Sequence, residues 1–183
     1  MDIKSFVVEL YIIFLGITLT KAIQTIVESF SYFSCTCFLL IFFLAIDFFF
    51  AKIKNIGNKK DKQTGLNMAL NLAVVCSFAF MPYFMNSFIH FMVVLLCMRV
   101  FDALLILEDS NWRYSSINTQ EKRWIIFDVC YFFVETIFIC IYCNNNSQIV
   151  GNILITIYFL LGVFESVFDF VINSSEYMTI DQN

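Results

Sequence analysis

Charged side chains inside long apolar runs are the residues of this sequence whose types and spacing point to chemistry. In residues 94–109, VLLCMRVFDALLILED, Arg99 and Asp102 are three positions apart, so a helix places them on one face. A charge at the centre of a bilayer costs about 2.5–3.5 kcal/mol on insertion scales, so such residues face a bundle interior or water and usually pair. The pair therefore indicates either a structural ion pair or part of a path for ions.

Two later apolar runs each carry two acids on one helix face. They are Asp128 with Glu135, at a spacing of seven residues, and Glu165 with Asp169, at a spacing of four. Arg99 is the one basic residue expected near the middle of the membrane. Its planar guanidinium can bind two carboxylates, so we predict that it pairs with Asp102 and with Glu165 or Glu135. The acids in excess of Arg99 are then expected to hold protons or to bind cations.

Two pairs of closely spaced cysteines are candidates for thiol–disulfide chemistry. Cys35 and Cys37 open the second apolar run, and Cys140 and Cys143 close the fifth as a C-x-x-C motif. The dipole at a helix C-terminus disfavours a thiolate at the second pair, whereas the first pair lies at an N-terminus. The sequence contains no H-x-x-x-H spacing, P-loop or G-x-G-x-x-G motif, so it predicts neither a metal site nor a cofactor.

Composition and run length predict the fold that must position these residues. The chain has 183 residues, 60% of them hydrophobic, and a mean hydropathy of +0.80, whereas soluble domains are roughly 45–50% apolar. A membrane-spanning helix needs about 20 apolar residues. We predict an all-α integral membrane protein, a single transmembrane domain over 1–183 with six transmembrane helices arranged as three helical hairpins and no soluble domain. The helices are expected at approximately 5–27, 31–51, 67–85, 88–107, 124–143 and 149–172.

Basic residues in alternate connections predict the orientation. The connection after the second run contains Lys52, Lys54, Lys59, Lys60 and Lys62, and the connection after the fourth contains Arg113, Lys122 and Arg123. The other three connections contain no Lys or Arg. Because positive residues favour the cytoplasmic side, both termini are predicted to be cytoplasmic. We expect a protein of a bacterial inner (plasma) membrane.

This orientation sorts the intramembrane charges by depth. Those expected near the cytoplasmic interface, where a charge costs little, are Glu9, Asp47, Asp128 and Asp169. Those expected near mid-membrane are Arg99, Glu135 and Glu165. A weak repeat also aligns three windows on an aspartate near the cytoplasmic end of an even-numbered helix: Asp47, Asp102 and Asp169. Either the windows are repeated helical units, as in transporters, or the similarity is chance in a Phe-rich sequence.

Three functions fit these residues. The first is a channel, pore or carrier subunit for cations or protons, which includes a membrane-permeabilising effector gated by a cytoplasmic partner. The candidate ion-pathway residues are Arg99, Asp102, Asp128, Glu135, Glu165, Asp169 and Asp47. Six small helices leave little room for a wide cavity, so a homo-oligomer or a membrane complex is expected. The net charge of −4 and the absence of a basic domain exclude nucleic-acid binding.

The second function is a non-conducting scaffold or accessory subunit that binds a partner through the loop 108–123. Trp112, Arg113 and Tyr114 in this loop are residue types common at contact hot spots. The same aromatics also fit an ordinary belt at the membrane interface. The third function is a membrane thiol–disulfide oxidoreductase that uses the two cysteine pairs. An enzyme is the less favoured class.

Overall fold

Six α-helices make up the structure, a computed structural model that describes residues 3–58, 65–110, 112–113, 115, 117 and 119–177. The helices are α1 (Ile3–Glu28), α2 (Tyr32–Asn58), α3 (Gly65–Phe80), α4 (Phe88–Asp109), α5 (Thr119–Asn145) and α6 (Gln148–Tyr177). No β-strand occurs in this described part. The prediction of an all-helical fold with six helices is confirmed. α2, α5 and α6 each extend about one to two turns beyond a predicted end, because polar residues continue these helices past the apolar runs.

A short 3₁₀ turn separates α3 from α4. α3 ends at Phe80, and the turn Met81–Phe84 follows with Pro82 in its first two positions. Proline has no backbone N–H and therefore cannot continue the hydrogen bonding of the α-helix. The Thr25 hydroxyl donates to the Pro82 carbonyl at 3.3 Å, which holds the turn beside the end of α1.

The helices pack as a closed ring rather than as three independent hairpins. Around the ring the order is α1, α2, α6, α5, α4, α3, and α3 returns to α1. The largest interfaces join α4 to α3 and to α5. α5 and α6 share the smallest interface of the six neighbouring pairs, and α6 packs more extensively on α2. The third predicted hairpin, α5 and α6, is therefore not a close-packed pair. We call the loose contact between these two helices the seam.

Aromatic and sulfur-containing side chains fill the middle of the ring. Phe33 of α2 lies across from α4, with its ring centroid 6.1 Å from that of Phe88 and 6.4 Å from that of Phe91. Met81 and Met92 are fully buried in the same cluster. Unbranched methionine side chains adapt to the gaps that rigid rings leave. The core is therefore apolar where α2, α3 and α4 meet.

The outside of the ring is apolar as well. Exposed isoleucine, valine, leucine and phenylalanine side chains occur on each of the six helices. Five helices, all but α2, include stretches long and apolar enough to cross a membrane. The apolar stretch of α2 in the described residues, Tyr32–Ile46, is shorter. This surface is consistent with a membrane protein, because lipid rather than water accommodates continuous exposed apolar side chains.

Candidate functional site

Arg99 joins three helices in the interior of the bundle. It lies at the middle of the 22-residue helix α4, and its side chain is 11% exposed. Nη1 donates to Asp128 Oδ1 of α5 at 3.2 Å, and Nη2 lies 3.5 Å from Glu165 Oε2 of α6. The prediction that Arg99 pairs with Glu165 or Glu135 across a helix interface is confirmed for Glu165. The predicted pairing with Asp102 of its own helix stays a prediction.

Asp128 is part of this cluster, and its expected depth near the cytoplasmic interface stays a prediction. Its side chain is 4% exposed and contacts Arg99. α5 begins at Thr119, and nine residues at 1.5 Å per residue place Asp128 about 13 Å from the start of the helix. The predicted helix begins about five residues later, at residue 124. The helical spacing between Asp128 and Glu135 was the signal that could have placed both acids in the interior.

Tyr131 covers the guanidinium of Arg99. The Arg99 Cζ atom lies 4.4 Å from the centroid of the Tyr131 ring, which is a cation–π contact. Tyr131 follows Asp128 by three residues, so one face of α5 presents both the carboxylate and the ring. Arg99 is thus held by charge on two sides and by a π surface on a third. Tyr131 is not predictable from the sequence, because one tyrosine in a Phe- and Tyr-rich chain has no distinguishing local pattern.

Glu135 and Tyr158 form a second buried pair, further from the connection 109–119 than Arg99. Both side chains are 0% exposed, and the Tyr158 hydroxyl donates to Glu135 Oε1 at 2.5 Å. The Tyr158 ring packs edge-on against Tyr131, with centroids 5.3 Å apart. The pair therefore continues the polar contacts of Arg99 along the seam between α5 and α6. Tyr158 is a second tyrosine that the sequence analysis does not select.

The cluster contains more acids than bases. Arg99 contacts the carboxylates of Asp128 and Glu165 and lies within electrostatic range of Glu135, and Asp102 lies within electrostatic range of Asp128. Within the described residues, Asp128 Oδ2 and Glu135 Oε2 are buried oxygens with no hydrogen-bond partner. A buried charge is costly unless it is paired and hydrogen-bonded. Chemically, the arrangement offers places for a proton or for a small cation next to a fixed arginine.

Geometry limits which cation the cluster can take. Among the described residues, no group of three or more His, Cys, Asp or Glu side chains is placed to hold a metal ion. The carboxylates are instead distributed around Arg99 on separate helices. The side chains of Asp47 and Asp169 lie outside the part described, so the role and repeat predicted for them stay predictions.

A separate chain of hydrogen-bonded polar side chains lies at one end of the bundle. We call this end, which is near the connections 58–65 and 109–119, the basic end. Asn67 Nδ2 of α3 donates to Glu108 Oε2 at 2.9 Å and to Asp109 Oδ1 at 2.5 Å, at the C-terminus of α4. Asn71 Nδ2 donates to Asn67 Oδ1 at 3.0 Å. Tyr11 of α1 donates to Asn71 Oδ1 at 2.8 Å. These bonds connect α1, α3 and α4 through residues that the sequence analysis does not select.

The predicted redox cysteines occupy unlike environments. Cys37 is fully buried in the core cluster, Cys35 is half-buried, and Cys140 and Cys143 are exposed. All seven cysteines are free thiols. Cys37 therefore packs as a small core residue, and of the two predicted pairs the C-x-x-C pair is the one with both thiols exposed.

The predicted partner-binding loop presents its aromatic and its arginine outward. Trp112 is 56% exposed, with a φ of 59°, and Arg113 is exposed. The backbone N–H of Trp112 donates to the Leu107 carbonyl at 2.8 Å, which ties the loop to the end of α4. Tyr114 lies outside the residues described.

No family model, no curated protein and no solved structure matches this chain. Function is therefore inferred from the residues themselves. The cluster around Arg99 is the strongest candidate, because it concentrates charge where an apolar interior makes charge expensive.

Proposed function

We propose that this chain is a six-span membrane protein that passes cations or protons, as a channel, pore or carrier subunit. The observation that carries the proposal is the interior cluster in which Arg99 faces several carboxylates. A helical bundle needs no such group for stability, because apolar residues of similar volume often stabilise as well as a buried ion pair. Ionisable residues retained at such positions in membrane proteins mark ion paths and proton relays.

In this proposal Arg99 is an electrostatic lock across the seam between α5 and α6. Its guanidinium contacts Asp128 on one side of the seam and Glu165 on the other. A proton or cation that binds either carboxylate competes with Arg99 for that negative charge, and the link weakens. Because the interface between α5 and α6 is small, opening the bundle along this seam breaks fewer contacts than opening it elsewhere in the ring.

The proposal includes a membrane orientation. The basic end faces the cytoplasm, both termini lie on that side, and the membrane is a bacterial inner membrane. A homo-oligomer or a complex with other membrane proteins supplies any pore wider than one chain can enclose.

Ion flux through the purified protein in liposomes tests the function. A proton gradient or a potassium gradient is applied, and the flux is followed with a pH-sensitive or a potential-sensitive dye. We expect Glu135→Gln and Glu165→Gln to reduce the flux at least about tenfold, since each removes a carboxyl group that can bind and release a proton or a cation. Glu28→Gln, at the exposed C-terminus of α1, is the matched control and keeps the wild-type flux. Absent flux, or flux that none of the three changes alters, refutes the proposal.

The exposed loop residues favour a second candidate, a scaffold that binds a cytoplasmic partner. Trp112 and Arg113 are both exposed and belong to the types enriched at hot spots. Crosslinking in membranes with a photoreactive residue at position 112 distinguishes the two. A specific crosslinked partner, lost on Arg113→Ala, together with absent flux supports the scaffold. Flux without a crosslinked partner supports conduction.

A further inference from the structure

We infer that Glu135 is a binding site for a proton rather than for a metal cation, and that Tyr158 is the residue that positions it. The inference deepens the proposed function, because it names the ion at one point of the path. The proton-binding site is nevertheless observable in protein that transports nothing.

The two oxygens of Glu135 have different surroundings. Oε1 accepts the hydrogen bond from the Tyr158 hydroxyl, whereas Oε2 is buried and, in the part of the chain described, has no hydrogen-bond partner. The side chain is fully buried, so water does not solvate a charge there. A proton transferred from a hydronium ion, which leaves a water molecule, forms one O–H bond at Oε2 and removes the negative charge. Oε2 is thus the oxygen of Glu135 at which a hydrogen is expected.

The ligands around Glu135 do not suit a metal cation. Arg99 lies within electrostatic range of Glu135, and its guanidinium is held in place by Asp128 and Glu165. Its positive charge acts against any added cation, a proton included, so the number of available ligands decides between a proton and a metal. Calcium takes six to eight oxygen ligands and magnesium requires an octahedron, but the described residues assemble no group of three acidic, His or Cys ligands. A proton needs a single oxygen.

The groups that face this site come from three helices. α4 contributes Arg99, α5 contributes Tyr131, and α6 contributes Tyr158. The direct contacts of Arg99 are the carboxylates of Asp128 and Glu165. Two carboxylates therefore already balance the charge of Arg99 before Glu135 is counted. Tyr158 keeps the carboxyl group in one orientation whether or not the proton is present.

Infrared spectroscopy of the purified protein in detergent tests the inference without any transport assay. A protonated carboxylic acid has a carbonyl stretching band that an ionised carboxylate lacks, and the band shifts in D₂O. We expect wild type at neutral pH to show such a band, and Glu135→Gln to remove it. Tyr158→Phe retains the band at higher frequency, because the hydrogen bond to Oε1 is lost. Glu28→Gln, at an exposed position, leaves the band unchanged.

Each remaining outcome decides the inference. A carboxylic-acid band that survives Glu135→Gln unchanged, or no band at all, overturns it. Loss of the wild-type band on addition of sodium, potassium or calcium at constant pH shows a metal-cation site and also overturns it. If Glu135→Gln fails to fold, the shift in Tyr158→Phe decides, and an unshifted band contradicts the inference. A band that behaves as expected in protein without flux supports the proton site and refutes only the transport proposal.

Discussion

At the scale of single residues, the cluster works because one arginine serves two helices at once. Arg99 donates to Asp128 at 3.2 Å and lies 3.5 Å from Glu165, while Tyr131 covers its face. In a low-dielectric interior, removing one partner destabilises the fold by more than the intact ion pair stabilises it. The reason is that the other charge stays buried without a partner. The ion pair therefore acts as a constraint on the relative position of the helices more than as a source of stability.

Replacing Arg99 tests this constraint. Arg99→Met is expected to lower the free energy of unfolding by about 3–5 kcal/mol, because it leaves two buried carboxylates without their cation. Asp128→Asn alone is also destabilising, and the double variant is expected to lose about 0.5–3 kcal/mol less than the sum. Thermal and denaturant unfolding in detergent measures all three. Arg113→Ala at an exposed position is the control, expected within about 0.5 kcal/mol of wild type; strictly additive losses contradict direct pairing.

Sequence reasoning recovers part of this site. That Arg99 pairs with Glu165 or Glu135 follows from charge and depth alone, because an isolated arginine in an apolar run must find an acid, but the choice of Glu165 required the structure. That Asp128 is the second partner of Arg99 depends on where α5 begins. The polar residues before Trp124 do not reveal this start. The roles of Tyr131 and Tyr158 depend on how α5 and α6 are rotated towards each other, and that rotation has no local signature.

At the scale of helices, small residues decide how closely neighbours approach. Gly151, near the start of α6, faces Tyr142 of α5, and a Cβ at Gly151 would lie 3.0 Å from Tyr142 Cε2. The Tyr142 ring is itself stacked on Phe88, with centroids 4.6 Å apart. Glycine therefore permits the contact that brings α5, α6 and α4 together away from the basic end.

Two glycine substitutions test this packing against helix propensity. Gly151→Ala is expected to lower the unfolding free energy by about 1–3 kcal/mol, because the confined Tyr142 ring must shift. Gly16→Ala, where a Cβ meets nothing within 4 Å, is expected to be neutral or to stabilise by up to about 1 kcal/mol, since alanine favours helix. Thermal unfolding in the same detergent compares them. Equal effects of the two changes would exclude a close contact at Gly151.

Helix number and approximate span were predictable because apolar runs and basic connections are local features. The longer ends of α2, α5 and α6 were not, because polar residues such as those at 119–123 continue a helix through backbone hydrogen bonds that hydropathy does not register. The preference of α6 for α2 over α5 depends on which side-chain surfaces fit, so it emerged only from packing.

At the scale of the whole molecule, the ring exposes apolar side chains and buries one cluster of charges within a mainly apolar core. Exposed residues such as Val27, Phe30 and Ile149 lie on the outer surface, while the cluster around Arg99 lies inside. Water-soluble proteins, in contrast, keep most charged side chains on the surface. The exterior is consistent with a surrounding lipid phase, and the buried charges are consistent with the ion path proposed above.

Labelling from one side of the membrane tests the proposed orientation. In a chain whose native cysteines are replaced except Cys143, an impermeant maleimide is expected to react only from the side opposite the cytoplasm. A chain that instead carries Thr119→Cys as its single cysteine is expected to react only from the cytoplasmic side. The two positions lie towards opposite ends of α5 and are both exposed. Reaction of both from the same side would show that α5 does not cross the membrane.

The sequence by itself determined the helical class, the number of helices, the basic connections and the presence of charges within apolar runs. Each of these depends on composition or on spacing along one helix, where 3.6 residues per turn relates neighbours directly. Only the tertiary structure decided that the helices close into a ring, that Arg99 binds Asp128 and Glu165, and that Tyr158 donates to Glu135. These contacts join residues 23 to 66 positions apart. They depend on the rotation and register of whole helices, which are set by packing against every neighbour in the ring.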